Sequence, residues 1–340
     1  MPLLSLVISL ILLAGLAAPI GTSASLGCCG ASVTGQSSSQ AKPAPPTPQS
    51  SSPAQEQQED DIRLGAKLIL VPVSVSNAAG QPVKDLKVED IVIEEEGRPQ
   101  QVVALGEPGK TPVEIALLFD VSGSILGQFD FEQRAAVQFI REVLKPSDAI
   151  SLFSIGITPK MVRARTASGE DAITGLMSIA PSKEPTALFD SIVDATNYID
   201  KTAAPDSRRV LVIISDGEEN FSQRSTLSDV LRELQKKDCL FYSINPSGGG
   251  IRLNNISIKG QSFMESMASQ TGGRAFNLAR VEELESVFRQ IAEELQAQYL
   301  FGYYSTDERR EGGFRRITVR APKRTDLRIR ARQGYYVSKN

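Results

Sequence analysis

The stretch Val113–Ser124 (VEIALLFDVSGS) most narrows what this chain can fold into. An apolar run ends in an acid, and two serines follow at alternate positions. A run of this length, bounded by a glycine turn, reads as a strand buried on both faces. Such strands belong to parallel sheets covered by helices, where ligands sit in the crevice beyond the carboxyl ends of the strands. Asp120, Ser122 and Ser124 stand at that end. Carboxylate and hydroxyl oxygens at close quarters are hard ligands, suited to Mg²⁺, Ca²⁺ or Mn²⁺ rather than to a soft metal. The same residues also fit a plain turn, in which Ser and Asp bond their own backbone.

Two later pieces match the first. Thr186 lies in Pro185-Thr186-Ala187-Leu188-Phe189-Asp190, and Asp216 follows the apolar run Val210–Ser215, again an acid at the end of a buried strand. With these pieces the chain resembles a von Willebrand factor type A domain over roughly residues 112–295. The metal-ion-dependent adhesion site of that family is Asp-x-Ser-x-Ser, then a Thr, then an Asp, from separate loops. Asp120, Ser122, Ser124, Thr186 and Asp216 match every position. The resemblance implies a doubly wound α/β fold and a bound Mg²⁺, with Mn²⁺ or Ca²⁺ as substitutes. It also implies an open coordination position, filled in the family by an Asp or Glu of a partner protein. The function expected is metal-bridged protein recognition rather than catalysis. A scaffold stiffened by its metal, and a metal-dependent hydrolase using Asp120 and Asp216, are the other readings.

Composition trims these options. The chain has no His, which removes Ser-His-Asp and Cys-His catalysis and the usual zinc sites. A net charge of −3 gives no reason to expect nucleic acid. Three Cys make no disulfide framework; Cys28 and Cys29 are adjacent, and Cys239 sits in an apolar strand as a small hydrophobe.

Residues 1–24 read as a signal peptide, with Leu3–Ala18 almost wholly apolar and small residues after it. Cleavage after Ala24, lipidation of Cys28, and an uncleaved anchor all remain open. The reading places the protein in a bacterial periplasm, outside the cell or on its surface. Residues 25–61 are rich in Ser, Pro and Gln and have no apolar period, so they read as a disordered tether.

Residues 62–111 and 296–338 carry short β patterns on either side of the α/β core. They are expected to form the two halves of one β-sandwich, with the type A domain inserted between them. The expected strands are Ala66–Val75, Val83–Leu86, Val88–Ile93, Val102–Leu105, Tyr299–Tyr304, Phe314–Val319 and Leu327–Ala331. This layout, with its Gly-Tyr-Tyr close, resembles a group of secreted bacterial proteins described as type A-related. Within the core, helices are expected over Phe131–Val143, Asp171–Ile179, Leu188–Ile199, Leu227–Lys237 and Val281–Gln296.

Loops at the carboxyl ends of the strands should shape a partner surface. Gly123, Glu218, Glu219, Asn254 and Asn255 are the candidates. Glu218 and Glu219 also fit solvated acids near a helix start. Pro246–Met264 reads as one long connection. The C-terminal arginines, from Arg315 to Arg332, fit either a solvated face paired with Glu94–Glu96 or a patch for anionic polymer or lipid.

Overall fold

The structure is a computed structural model and describes residues 68–122, 128–246, 255–307 and 313–337. The leader, the tether, Cys28, Gly123, Ser124 and Asn254 lie outside the described residues, as does the side chain of Asn255. Among the described residues, no helix is long and apolar enough to cross a membrane.

The central strand is β5 (Val113–Asp120), and every one of its residues is buried. Its side chains alternate between two cores. Val113, Ile115, Leu117 and Phe119 join one, and Ala116 and Leu118 join the other. This is why the segment is apolar without interruption: both faces of the pleat are covered. Full burial of each large side chain contributes about 1.5–3 kcal/mol.

Around β5 lie the remaining strands of a mixed sheet. They are β6 (Ala149–Ile155), β7 (Lys160–Thr166), β8 (Arg208–Ile214), β9 (Cys239–Asn245) and β10 (Arg274–Asn277). The sheet order is β10-β9-β8-β5-β6-β7. All pairs are parallel except β6 with β7, which closes one edge antiparallel. On one face pack α1 (Phe129–Val143), α2 (Gly169–Met177) and α6 (Leu284–Ala297). On the other pack α3 (Leu188–Thr202), α4 (Leu227–Lys236) and α5 (Asn255–Thr271).

The local chemistry of the helix ends fits. Thr226 and Asp229 form a capping box at the start of α4, and Ser168 caps α2. At its C-terminus α1 stops at Val143, with Pro146 just beyond.

The flanking segments pair with each other. A four-stranded antiparallel sheet has the order β13-β1-β11-β4, from β13 (Arg328–Ala331), β1 (Leu68–Ser76), β11 (Tyr299–Tyr304) and β4 (Val102–Gly106). A second has the order β14-β12-β2-β3, from β14 (Gly334–Tyr336), β12 (Phe314–Arg320), β2 (Val92–Glu95) and β3 (Arg98–Gln100). Val71, Val73, Ile93, Tyr299, Phe301, Tyr303 and Ile317 form a shared core between them. Glu95 is buried in that core. It accepts the hydroxyls of Tyr303 (2.6 Å), Ser305 (2.5 Å) and Tyr335 (3.0 Å) and pairs with Arg315 at 3.3 Å.

Four expectations differ from what is observed. Val83–Leu86 is not a strand; Pro82 makes only an isolated bridge to Ser76. In Val88–Ile93, a 3-10 turn at Val88–Asp90 precedes β2, because Asp90 accepts the Lys87 N–H and closes the turn locally. Pro246–Met264 is not one long connection, since α5 begins at Asn255. Asn255 therefore opens a helix instead of lining a loop.

The arginines are also not one open face. Arg315 turns inward, Arg320 pairs with Glu94, and Arg330 and Arg332 pair with Glu294 and Asp238 of the α/β core. Glu294 of α6 also accepts the Ser74 hydroxyl (3.0 Å) and the Tyr242 hydroxyl (2.6 Å), a buried polar seam between sheet and core.

Candidate metal centre

Asp120 is the last residue of β5 and is fully buried. One carboxylate oxygen accepts the Ser122 backbone N–H at 2.9 Å, and the other accepts the Ser215 hydroxyl at 2.6 Å. The Ser215 oxygen in turn accepts the Gly217 N–H at 3.1 Å. The turns after β5 and β8 are thereby tied together through the carboxylate. The backbone continues the work: Val121 donates to Ile155 of β6 at 3.2 Å and accepts from Ser182 at 2.6 Å.

Asp216 is buried and its Oδ1 accepts the Glu218 N–H at 3.1 Å. Gly217 has φ +82°, a left-handed conformation that side chains resist. A Cβ there would also lie 3.0 Å from the Gly260 backbone of α5, and one on Gly260 would lie 2.3 Å from the Gly217 carbonyl oxygen. Two glycines therefore let α5 press against the turn that carries Asp216.

Thr186 is buried between elements of two loops. Its N–H donates to the Asn220 side chain at 2.9 Å, and its carbonyl accepts the Asn220 and Phe221 N–H groups at 3.3 and 3.1 Å. The next residue, Ala187, donates to Gly156 beyond β6 at 2.9 Å. The loop after β8 thus carries Asp216 and also holds Thr186. Asp120, Ser122, Thr186 and Asp216 are brought to one end of the sheet, all buried.

The acids of the 218–225 segment have separate tasks. Glu219 is committed to structure: its oxygens accept the N–H groups of Phe189 (2.9 Å), Phe221 (3.0 Å) and Ser222 (2.7 Å), and the Ser222 hydroxyl at 2.7 Å. It caps the start of α3 and pins the loop, neither of which was expected of it. Glu218 is half-buried beside Asp216. Asp190 orients the same loop, accepting the N–H groups of Gln223 at 3.1 Å and Arg224 at 3.2 Å. Burial alone would raise the Asp190 pKa, but these donors, Ser225 and Arg224 hold it below the usual range.

The site gathers buried acids with no counter-charge among the described residues. Burial pushes the Asp120 carboxyl up to about 6, against the pull of its Ser215 and Ser122 hydrogen bonds, and Asp216 adds to the rise. Glu132, in the first turn of α1, was not among the expected residues. It is fully buried, and neither carboxylate oxygen has a hydrogen-bond partner among the described residues. Burial pushes it up to about 8, with Asp120 and then Asp216 contributing. No salt bridge among the described residues reaches any of the three. A sequence signal existed: Glu132 falls on the buried stripe of α1 with Phe129, Ala136 and Phe139, where an acid has no packing reason to be.

The donor set is oxygen only, and it suits a hard divalent cation. Among the described residues, no three Cys, Asp or Glu side chains are placed to chelate a metal together. Hydroxyls and water would have to share the coordination with the carboxylates.

The family model of the von Willebrand factor type A domain matches residues 114–290. No curated protein sequence matches the chain. Among solved structures, the conserved hypothetical protein BatB from Bacteroides thetaiotaomicron is similar, at 19% identity and a TM-score of 0.42, covering 54% of this chain and 98% of that one. An aerotolerance-related membrane protein from Bacteroides fragilis NCTC 9343 gives 18% identity, a TM-score of 0.43, and coverage of 54% and 98%. Proximal thread matrix protein 1 from the mussel byssus gives 14%, 0.46, and coverage of 59% and 51%.

Proposed function

Because the chain belongs to the von Willebrand factor type A domain family, whose members are generally binding modules, we propose that it recognises a protein partner through a divalent cation held beyond β5. Mg²⁺ is the resident ion, and Mn²⁺ or Ca²⁺ can replace it. Ser122 and Thr186 supply neutral hydroxyl oxygens, and Asp120 and Asp216 supply charge. Ser124 joins them through the sequence motif. The partner contributes an Asp or Glu carboxylate to the cation. Glu218, half-buried beside Asp216, stands at the rim of that contact, and Gly123 belongs to the same motif by sequence.

One observation carries this reading. A fully buried carboxylate, Asp120, is held by Ser122 and Ser215 where the loops bearing Thr186 and Asp216 are bonded together. Burying acids without a counter-charge is costly, and a bound cation removes that cost. The apolar start of the chain and the Ser/Pro/Gln-rich segment after it support export, with display of the domain on a tether at a bacterial envelope.

The test is calorimetric titration of Mg²⁺ and Mn²⁺ into the purified full chain and into Asp120→Ala. Saturable binding to the parent and none to the variant is expected. Equal heats from both, or none from either, would remove the cation from the proposal and leave a metal-free binding scaffold.

A further inference from the structure

We propose that Glu132 is a third carboxylate of the cation site, acting on the cation through the water molecules it carries. The proposal rests on the metal reading above and adds a residue outside the Asp-x-Ser-x-Ser, Thr and Asp pattern.

The placement comes from α1. Phe129, one turn before Glu132, packs edge-on against Phe119 with ring centroids 5.3 Å apart, and Phe119 immediately precedes Asp120. The first turn of α1 therefore packs against the carboxyl end of β5, one residue from Asp120. Gln133, next along the helix, has its amide satisfied by the Leu176 and Ile179 carbonyls at 2.9 and 3.2 Å. Glu132 has nothing comparable: it is 0% exposed, and both oxygens lack a partner among the described residues. Buried polar atoms are rarely left so, and an orphan of this kind calls for a missing donor.

The missing donor has a defined chemistry. It answers negative charge as well, since Asp120 and Asp216 are buried and no salt bridge among the described residues reaches them. It must also bring protons that hydrogen-bond to carboxylate oxygens. A hydrated divalent cation does both, because Mg²⁺ gives up its waters reluctantly. Direct chelation by all three acids is excluded by their placement, which leaves the route through metal-bound water. Glu132 thus resembles the groups that orient metal ligands from behind and tune the ion.

The consequence is a change in the charge balance. Three carboxylates face a charge of +2, so the protein holds its cation firmly without a partner. A partner carboxylate then meets a cation already neutralised, and its own contribution to binding is smaller than it would be at a site with two acids.

The experiment titrates Mn²⁺ and Mg²⁺ into the full chain, Glu132→Gln and Glu132→Leu, and measures Tm with chelator and with saturating metal. The parent should bind. Both variants should bind at least tenfold more weakly, melt higher than the parent in chelator, and lose most of the metal-induced rise in Tm. A parent that binds while both variants keep its Kd overturns this inference alone, leaving Glu132 as a buried misfit of the core. A parent that binds no metal overturns the metal reading and this inference together.

Discussion

Replacing Asp120 by Asn should make the metal-free protein more stable and the metal-loaded protein less so. The carboxyl is fully buried and its pKa is raised from 3.8 to about 6. A folded-state pKa above the unfolded value means that the protonated form is the one folding favours. The stability tied to that proton is fully present below about pH 4 and is lost as pH rises through about 6. The shift corresponds to about 3 kcal/mol of penalty on the ionised carboxylate at neutral pH. Asn keeps the shape and can accept the Ser122 N–H, while its amide donates to the Ser215 oxygen and the Ser215 hydroxyl loses its acceptor, so part of the gain is given back.

In chelator at pH 7.5 the variant should therefore unfold about 2–3 kcal/mol harder, a Tm rise of roughly 3–5 °C for a body of this size. Neutralising Asp120 also eases the ionisation of Glu132, which sits in its field. The assay is chemical and thermal denaturation of parent and variant at a series of pH values, with chelator and with Mg²⁺. The advantage should vanish near pH 4, and in Mg²⁺ the order should reverse. A variant no more stable than the parent in chelator at pH 7.5, or a gain that persists undiminished at pH 4, would refute the reasoning.

Other substitutions separate competing effects. Gly260→Ala improves helix propensity by about 1 kcal/mol, but its Cβ would sit 2.3 Å from the Gly217 carbonyl oxygen; the clash should win, lowering stability and metal affinity together in denaturation and calorimetry. Glu219→Gln removes half of a carboxylate that accepts three N–H groups and a hydroxyl, and should cost about 1–3 kcal/mol by urea unfolding. In the sandwich, Arg315→Leu strands Glu95 in the core and should cost about 3–5 kcal/mol, much of it recovered in the double variant with Glu95→Gln.

The sequence was most legible where both faces of an element are buried. The strands β5, β6, β8 and β9 announce themselves as apolar runs, and the acids at the end of β5 and just beyond β8 mark where the strands stop. Helix α5 was hidden because its buried described positions include Gly260, Met264, Met267, Ala268 and Thr271, among serines and glutamines. A glycine there reads as a breaker, although close approach to Gly217 is what requires it. The segment Val83–Leu86 is apolar enough for a strand, yet Leu86 spends its N–H on the Tyr299 hydroxyl instead of on a neighbouring strand.

At the site, Asp120, Ser122, Thr186 and Asp216 were named through the family resemblance that their motif carries. Their supports could not be. Ser215, Asn220 and Glu219 look like ordinary loop polar residues until the loops are brought together. Glu132 was recoverable in principle, because an acid on the apolar stripe of a helix contradicts its own surroundings.

The most direct measurement is an anomalous difference map from crystals of the full chain grown with Mn²⁺. A single strong peak should lie at the carboxyl end of β5, within about 2.0–2.3 Å of the Ser122 and Thr186 hydroxyl oxygens, with water between it and Glu132. A map with no peak there, at Mn²⁺ concentrations that saturate calorimetry, would contradict a cation site built from Asp120, Thr186 and Asp216.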